Sequence, residues 1–320
     1  MPPDHQQRTA AVRRARRAKV EAIAARQDGV VARRQAYAAG LTRAEVRANV
    51  SAGRWQPVGR HCVAVTTGPL TPRAVLRAAQ LAGGPRAQLD GASSLIAGGL
   101  KGFDVDRHRV SVPRGARTFR DRQIDVRQTR RWAAEDVVAF GIPRTRNEVA
   151  AVRGALWAVS DRQAALLLTM TVQQGLTSAE RISVEVLRIK KAPRLAYVRA
   201  VLVDLLGGVR SLAELDFATE CRRRGLPEPD RQTIRKGRGG RYYLDVYWDA
   251  WGLVVEIDGI HHTWATEVVA DALRHNSVTL DHDVVLRLPV LGLRVAPDDF
   301  FEQITQALTA RGWGAAPPAA

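Results

Sequence analysis

The chain has 320 residues, 46% hydrophobic and 25% charged, with a formal net charge of +17 and two cysteines. That length supports two domains with ordinary cores, while Cys62 and Cys221 are too few for a disulfide framework or a four-cysteine zinc site. No apolar run approaches the roughly 18 residues of a spanning helix, and the start, MPPDHQQRTA, lacks an apolar signal core; a cytoplasmic protein with no membrane partner is expected. The charge is uneven: residues 1–60 hold 13 Lys and Arg against 4 acids, a net of +9, whereas residues 242–312 hold 4 against 11, a net of −7. The basic end suits phosphates, and the acidic end suits nucleic acid only with metal ions present.

Residues 1–27 carry RRARRAK in an Ala-rich stretch, a basic arm that reads either as a nucleic-acid tail or as a solvated terminus. Residues 28–65 have the outline of a winged helix-turn-helix. A helix is expected from Val30 to Ala39 with Gly40 as its left-handed cap, then a second to about Ala52, opened by the Thr42-x-x-Glu45 capping box. RWQPVGRHCVAV follows as a two-stranded wing around Gly59. Arg43, Arg47, Arg54 and Arg60 are the candidate DNA contacts of this domain. Residues 66–140 form a mixed α/β middle region, with a helix after Pro72 and a strand around HRVSVPRG, and no chemical motif. Residues 141–207 are a helical connector, in which Trp157 and Met170 are expected in the core.

Residues 208–312 carry the chemistry, and 313–320 are expected as a flexible tail. Ser211-x-x-Glu214 opens a helix to about Arg224, and Glu214 reads equally as part of a capping box. RQTIRKGRGGR, with Arg235, Lys236 and Arg238, suits either a phosphate backbone or a solvated hairpin tip. In YYLDVYWDAWGLVVEIDGIHH, alternation puts Tyr243, Asp245 and Tyr247 on one face of a strand, and Val254, Glu256 and Asp258 on one face of the next. With Asp249 to Gly252 as the turn, Trp248 pairs with Leu253, and Asp245 stands opposite Glu256 and diagonal to Asp258. Like charges facing each other destabilise a sheet unless a hard cation compensates; the other reading is a solvated acidic face over an apolar one. Gly259 allows a sharp exit to His261 and His262, Asp271 and Arg274 lie one turn apart on a following helix, VVLRLPV reads as a buried strand, and Pro297 to Ala310 as the closing helix.

Glu214, Asp245, Glu256-x-Asp258-Gly, the histidine pair and Asp271-x-x-Arg274 come in an order that resembles the very-short-patch-repair-type endonucleases of the PD-(D/E)xK superfamily. The segment GVVARRQAYAAGLTRAEVRANVSAGRWQPVGRHCVAV is similar to the winged-helix domain of AbiEi-type antitoxins. The fold expected is thus α/β multidomain: an N-terminal winged helix-turn-helix, a mixed middle with a helical connector, and a C-terminal restriction-endonuclease-like α/β sandwich. The resemblance implies Mg2+ or Mn2+ held by Asp245 with Glu256 or Asp258, hydrolysis of phosphodiester bonds in double-stranded DNA, proton transfer or ligation by His261 or His262, and Glu214 orienting the water or completing the metal shell. Asp271 and Arg274 would support the site. Asp258 stands where the superfamily places a catalytic lysine, a lysine that the repair-type branch also lacks, and this leaves the general base open. The competing expectation is a non-catalytic DNA-binding regulator or antitoxin, with the nuclease fold as scaffold and a toxin or a second copy of the chain as partner.

Overall fold

A computed structural model describes residues 5–116, 122–206, 217–236, 242–258, 269, 272–276 and 285–314. These form a mixed α/β protein with three sheets among the described residues, divided into two units, Met1–Ala150 and Ala151–Ala320.

The first unit opens with α1 (His5–Ala25), β1 (Val30–Ala32), α2 (Arg33–Ala38), α3 (Arg43–Ser51), β2 (Gln56–Val58) and β3 (Cys62–Ala64). The basic segment is therefore helical, and it is more than an arm: Val20 and Ala24 of α1 are buried in one cluster with Val31, Ala36, Leu41, Val46, Trp55 and Val63. Val30 and Val31 do not begin a helix as expected. They form a strand, because β1 pairs antiparallel with β3, Val31 opposite Val63, and stiff β-branched residues fit that pleated position well. The sheet runs β1-β3-β2, with β2 and β3 as a hairpin turned at Gly59, whose φ of +58° favours glycine. Gly40, at φ +96°, ends α2 as expected.

The capping box forms at α3. Thr42 Oγ1 accepts from Glu45 N at 3.1 Å, and Thr42 N donates to Glu45 Oε2 at 2.7 Å. The Thr42 backbone N–H holds the Glu45 carboxyl below its ordinary value, so this contribution is present above the unfolded pKa and lost as pH falls through the lowered one. Thr42→Ala is expected to cost about 1 kcal/mol, read as a lowered urea midpoint with unchanged slope; an unchanged midpoint would mean that packing alone fixes α3.

The other face of this sheet packs Val30, Ala32, Cys62 and Ala64 on Ala74, Ala78 and Leu81 of α4 (Pro72–Ala82), which starts at Pro72 under a Thr71 cap. Beyond it come β4 (Gln88–Leu89), α5 (Ala92–Ala97), β5 (His108–Pro113), β6 (Ile124–Thr129), β7 (Val137–Val138) and β8 (Arg144–Thr145), in a mixed sheet ordered β6-β5-β4-β8-β7. Leu89, Val110, Val112 and Val126 join Leu76, Ala79, Ala87 and Ile142 in its core.

The division between units falls within α6 (Asn147–Trp157), followed by α7 (Asp161–Gln173), α8 (Ala179–Leu187) and α9 (Leu195–Leu206). Met170 is buried as expected; Trp157 is not, at 38% exposed, since it is the last residue of its helix. Then come α10 (Phe217–Arg223), β9 (Arg231–Lys236), β10 (Tyr242–Trp248), β11 (Leu253–Asp258), β12 (Val285–Pro289), α11 (Val290–Val295) and α12 (Pro297–Ala310). The sheet runs β12-β11-β10-β9. The stretch Arg231–Lys236, read as part of a basic segment suited to a phosphate backbone or to a solvated hairpin tip, forms an edge strand paired along β10, and its charged residues suit an exposed edge. β12 runs parallel to β11, which requires a crossover; the intervening residues include a helical stretch at 272–276.

One face of this sheet is apolar. Leu244, Val246, Trp248, Leu253, Val255, Ile257, Leu286 and Leu288 are all buried, as are Phe217 of α10 and Phe300, Phe301, Ile304 and Leu308 of α12. The Phe217 ring meets Trp248 edge-on at 6.2 Å and stacks on Phe301 at 5.2 Å. Gly292 sits so near Phe300 that a Cβ there would lie 2.4 Å from the ring, so the close approach of α11 to α12 requires glycine. Tyr197 Oη donates to Arg294 O at 3.1 Å and Arg294 Nε pairs with the buried Asp204 at 2.8 Å, tying α9 to α11.

Candidate functional site

The opposite face of the four-stranded sheet carries the polar residues, because successive side chains on a strand alternate. Asp249–Trp251 make one 3-10 turn, Gly252 follows at φ +58°, and Trp248 then pairs with Leu253. The register that results is the one alternation predicts: Asp245 lies directly opposite Glu256, and Tyr243 opposite Asp258. Directly opposite residues have Cβ atoms about 4.5–5.5 Å apart. The row continues outward on both sides, with Thr233 of β9 beside Asp245 and Arg287 of β12 beside Glu256.

Asp245 is 4% exposed, a carboxylate almost wholly withdrawn from water. The Tyr247 hydroxyl lies 3.5 Å from its Oδ2, at the outer limit of a hydrogen bond. Glu256 is half-buried, and its Oε2 is 3.3 Å from Arg287 Nε, so the acidic row already draws one cation to its edge. The Arg231 guanidinium stacks 4.2 Å from the centre of the Tyr247 ring and pairs with Asp249 at 3.1 Å. Asn276, fully buried, donates through Nδ2 to Arg287 O and accepts on Oδ1 from Arg287 N, both at 2.9 Å. Its amide thus stands in for a neighbouring strand on the outer edge of β12 and fixes the backbone from which Arg287 reaches Glu256.

Two carboxylates side by side offer hard oxygen donors, and the burial of Asp245 strengthens their field by lowering the local dielectric; this donor chemistry fits Mg2+ or Mn2+ better than a softer ion. Among the described residues no group of three or more His, Cys, Asp or Glu could hold a metal ion. Of the other expected site residues, Glu214, Arg238, His261, His262 and Asp271 lie outside the described residues, as do the side chains of Arg235, Lys236 and Asp258. Arg274 is described and exposed. Arg287 and Asn276 escaped the sequence reading, and Tyr247 was placed on the face of Asp245 without a role; the legible sign of Arg287 was a lone charge inside the apolar run VVLRLPV.

Neither cysteine suits nucleophilic chemistry: burial pushes both the Cys62 and the Cys221 thiol up to about 12, far above the range in which a thiolate forms. Among the described residues no helix is long and apolar enough to cross a membrane.

In the first unit, Arg43 and Arg47 lie one turn apart on α3 and are exposed, as are Arg54 and Arg60 around the β2–β3 hairpin. Arg54 Nε donates to Asn49 Oδ1 at 2.8 Å, which anchors the arginine at the end of α3. The charge asymmetry is sharper by unit than by segment. Residues 1–150 hold 28 Lys and Arg against 12 acids, a net of +16, and residues 151–320 hold 21 against 20, a net of +1. No protein-family model matches the chain, and no curated protein is significantly similar to it.

Proposed function

We propose that the protein is a metal-dependent DNA endonuclease or nickase, with a winged helix-turn-helix in the first unit as its DNA-binding head and a restriction-endonuclease-like sheet in the second as its cleavage site. The observation that carries this reading is Asp245, buried in the middle of a sheet and facing Glu256 across it. Two carboxylates facing each other across a sheet, one of them withdrawn from water, repel each other, and a cation shared between them relieves that repulsion. The first unit supports the rest: strand, two helices and a hairpin in order, four exposed arginines on the second helix and the hairpin, and nearly the whole net charge of the chain.

Asp245 and Glu256 would hold Mg2+ or Mn2+, with Asp258 as the third acid and His261 or His262 assisting. The chemistry that such an ion supplies when bound is activation of a water for in-line attack on a phosphodiester and stabilisation of the departing oxyanion. The remaining work falls to the protein. Tyr247 steadies the Asp245 carboxylate, Asn276 fixes the strand that carries Arg287, and Arg231 on the edge strand positions the phosphate backbone.

The regulator reading draws on a different observation, the Glu256–Arg287 contact at 3.3 Å, which partly neutralises the acidic row without a metal. One panel separates the two: purified protein incubated with supercoiled, linear, mismatched and single-stranded DNA, with and without Mn2+. The endonuclease is expected to nick or linearise at least one substrate only when Mn2+ is present. Binding to DNA without cleavage of any substrate would leave the regulator.

A further inference from the structure

We infer that the tip of the β7–β8 hairpin in the first unit is a stacking platform for an unpaired nucleic-acid base, with Phe140 supplying the ring. Val137 and Val138 pair antiparallel with Thr145 and Arg144, so residues 139–143 form the turn of a short hairpin. At its tip Phe140 is 93% exposed, the largest exposure among the exposed large hydrophobic residues described. Two residues on, Ile142 is buried in the core of the unit. The tip is therefore rooted, and its aromatic ring stands in water.

One hydrogen bond holds the turn directly, and two more to Asp28 lie behind it. Arg77, itself buried, donates through Nη2 to Gly141 O at 3.0 Å and through Nε to Asp28 Oδ2 at 3.0 Å. Arg73 donates to the other Asp28 oxygen at 2.5 Å and leaves its guanidinium beside the tip, where a Cβ on Gly141 would stand 3.3 Å from its Nη2. Gly141 has φ +76°, so the turn needs glycine at this position. An aromatic ring exposed to water gains nothing for the fold, whereas the rooted backbone beneath it has little entropy left to lose when a flat partner stacks on the ring.

The choice of partner follows from charge. The ring stands on a unit of net +16, next in sequence to Gly141, against which the Arg73 guanidinium lies; a basic surface with an exposed aromatic ring is the pairing used to hold single strands. An unpaired base offers the free π-face that a stacked duplex does not. This inference rests on the nucleic-acid half of the proposed function and is independent of the metal site.

The test uses the full chain as wild type, Phe140→Ala and Phe140→Trp, with anisotropy titrations of a fluorescent single strand and of its duplex across a salt series, and with 2-aminopurine in the single strand as reporter of stacking. Because Phe140 contributes nothing to the core, the alanine variant is expected to fold normally. Single-strand affinity should fall about tenfold in Phe140→Ala, with the salt slope unchanged because no phosphate contact is lost; duplex affinity should be unaffected. Phe140→Trp should restore both the affinity and the 2-aminopurine quench. Equal single-strand affinity in wild type and Phe140→Ala would overturn the platform alone and leave the endonuclease reading standing, whereas a wild type that binds no nucleic acid would overturn both.

Discussion

Asp245→Asn is expected to abolish metal-dependent cleavage while leaving the fold and DNA binding intact. The substitution keeps the shape of a side chain that is 4% exposed and removes its charge, so no cavity forms and the apolar face of β10 is untouched. A metal ligand contributes several kcal/mol of charge stabilisation to the transition state, and each 1.36 kcal/mol is tenfold in rate, so the loss should be roughly a thousandfold or more. Stability supplies a second readout with an informative sign. In the metal-free protein Asp245 and Glu256 face each other as like charges, with Arg287 beside Glu256. Neutralising one of them should hold or raise the apo melting temperature, whereas an acid in a satisfied structural hydrogen bond would lose stability on the same change. Mn2+ at about 100 times its Kd would stabilise the wild type by roughly 2.7 kcal/mol, and Asp245→Asn much less. Thermal melts of both proteins with and without Mn2+ decide it: an unmoved wild-type midpoint at millimolar Mn2+, with a destabilised variant, would favour the regulator.

The hairpin that builds this row was legible because its signal is local. Period-two alternation in YYLDVYW and LVVEID, with a glycine-ended turn between, leaves a single register that buries Trp248 and Leu253 together, and the pairing of Asp245 with Glu256 follows from it. The edge strand β9 was obscured by its own composition, since arginine, lysine and a following glycine run suit a loop as well as an edge. β1 was hidden for another reason: three residues hold too little periodicity to tell strand from helix, and the choice was made by pairing with Cys62–Ala64, distant in sequence. The same limit applies to β4 and β8, two residues each, which join the middle sheet through neighbours rather than through any pattern of their own. Asn276 is the clearest case in the site. Its amide acts on the backbone of Arg287, a contact between remote segments that no periodicity announces.

Trp248→Ala is expected to cost about 3–5 kcal/mol, the range for truncating a fully buried large aromatic residue, and most of the stability of an ordinary domain lies within reach of such a loss. Trp248 is 0% exposed and makes both a ring contact and a hydrogen bond. Its ring meets the edge of Phe217, which is itself stacked on Phe301, so the cavity would open where α10 and α12 meet the sheet. Its Nε1 donates to Pro227 O at 3.0 Å, a contact that fixes the chain entering β9, and the carbonyl would lose that partner. Trp248 also terminates β10 three residues from Asp245, so the acidic row would lose its backing along with the core. Trp157→Ala is the matched control: the same residue type, 38% exposed, should cost far less. Hydrogen exchange read by peptide gives the spatial test, because residues 1–150 form a separate compact unit. Protection should fall across β10, β11, β12 and α12 while the peptides of residues 1–150 keep theirs. An equal loss in both halves would show that the two units unfold as one, and a cost below about 1 kcal/mol, well short of the range for a buried aromatic residue, would show that the packing around Trp248 does not hold the sheet that carries Asp245 and Glu256.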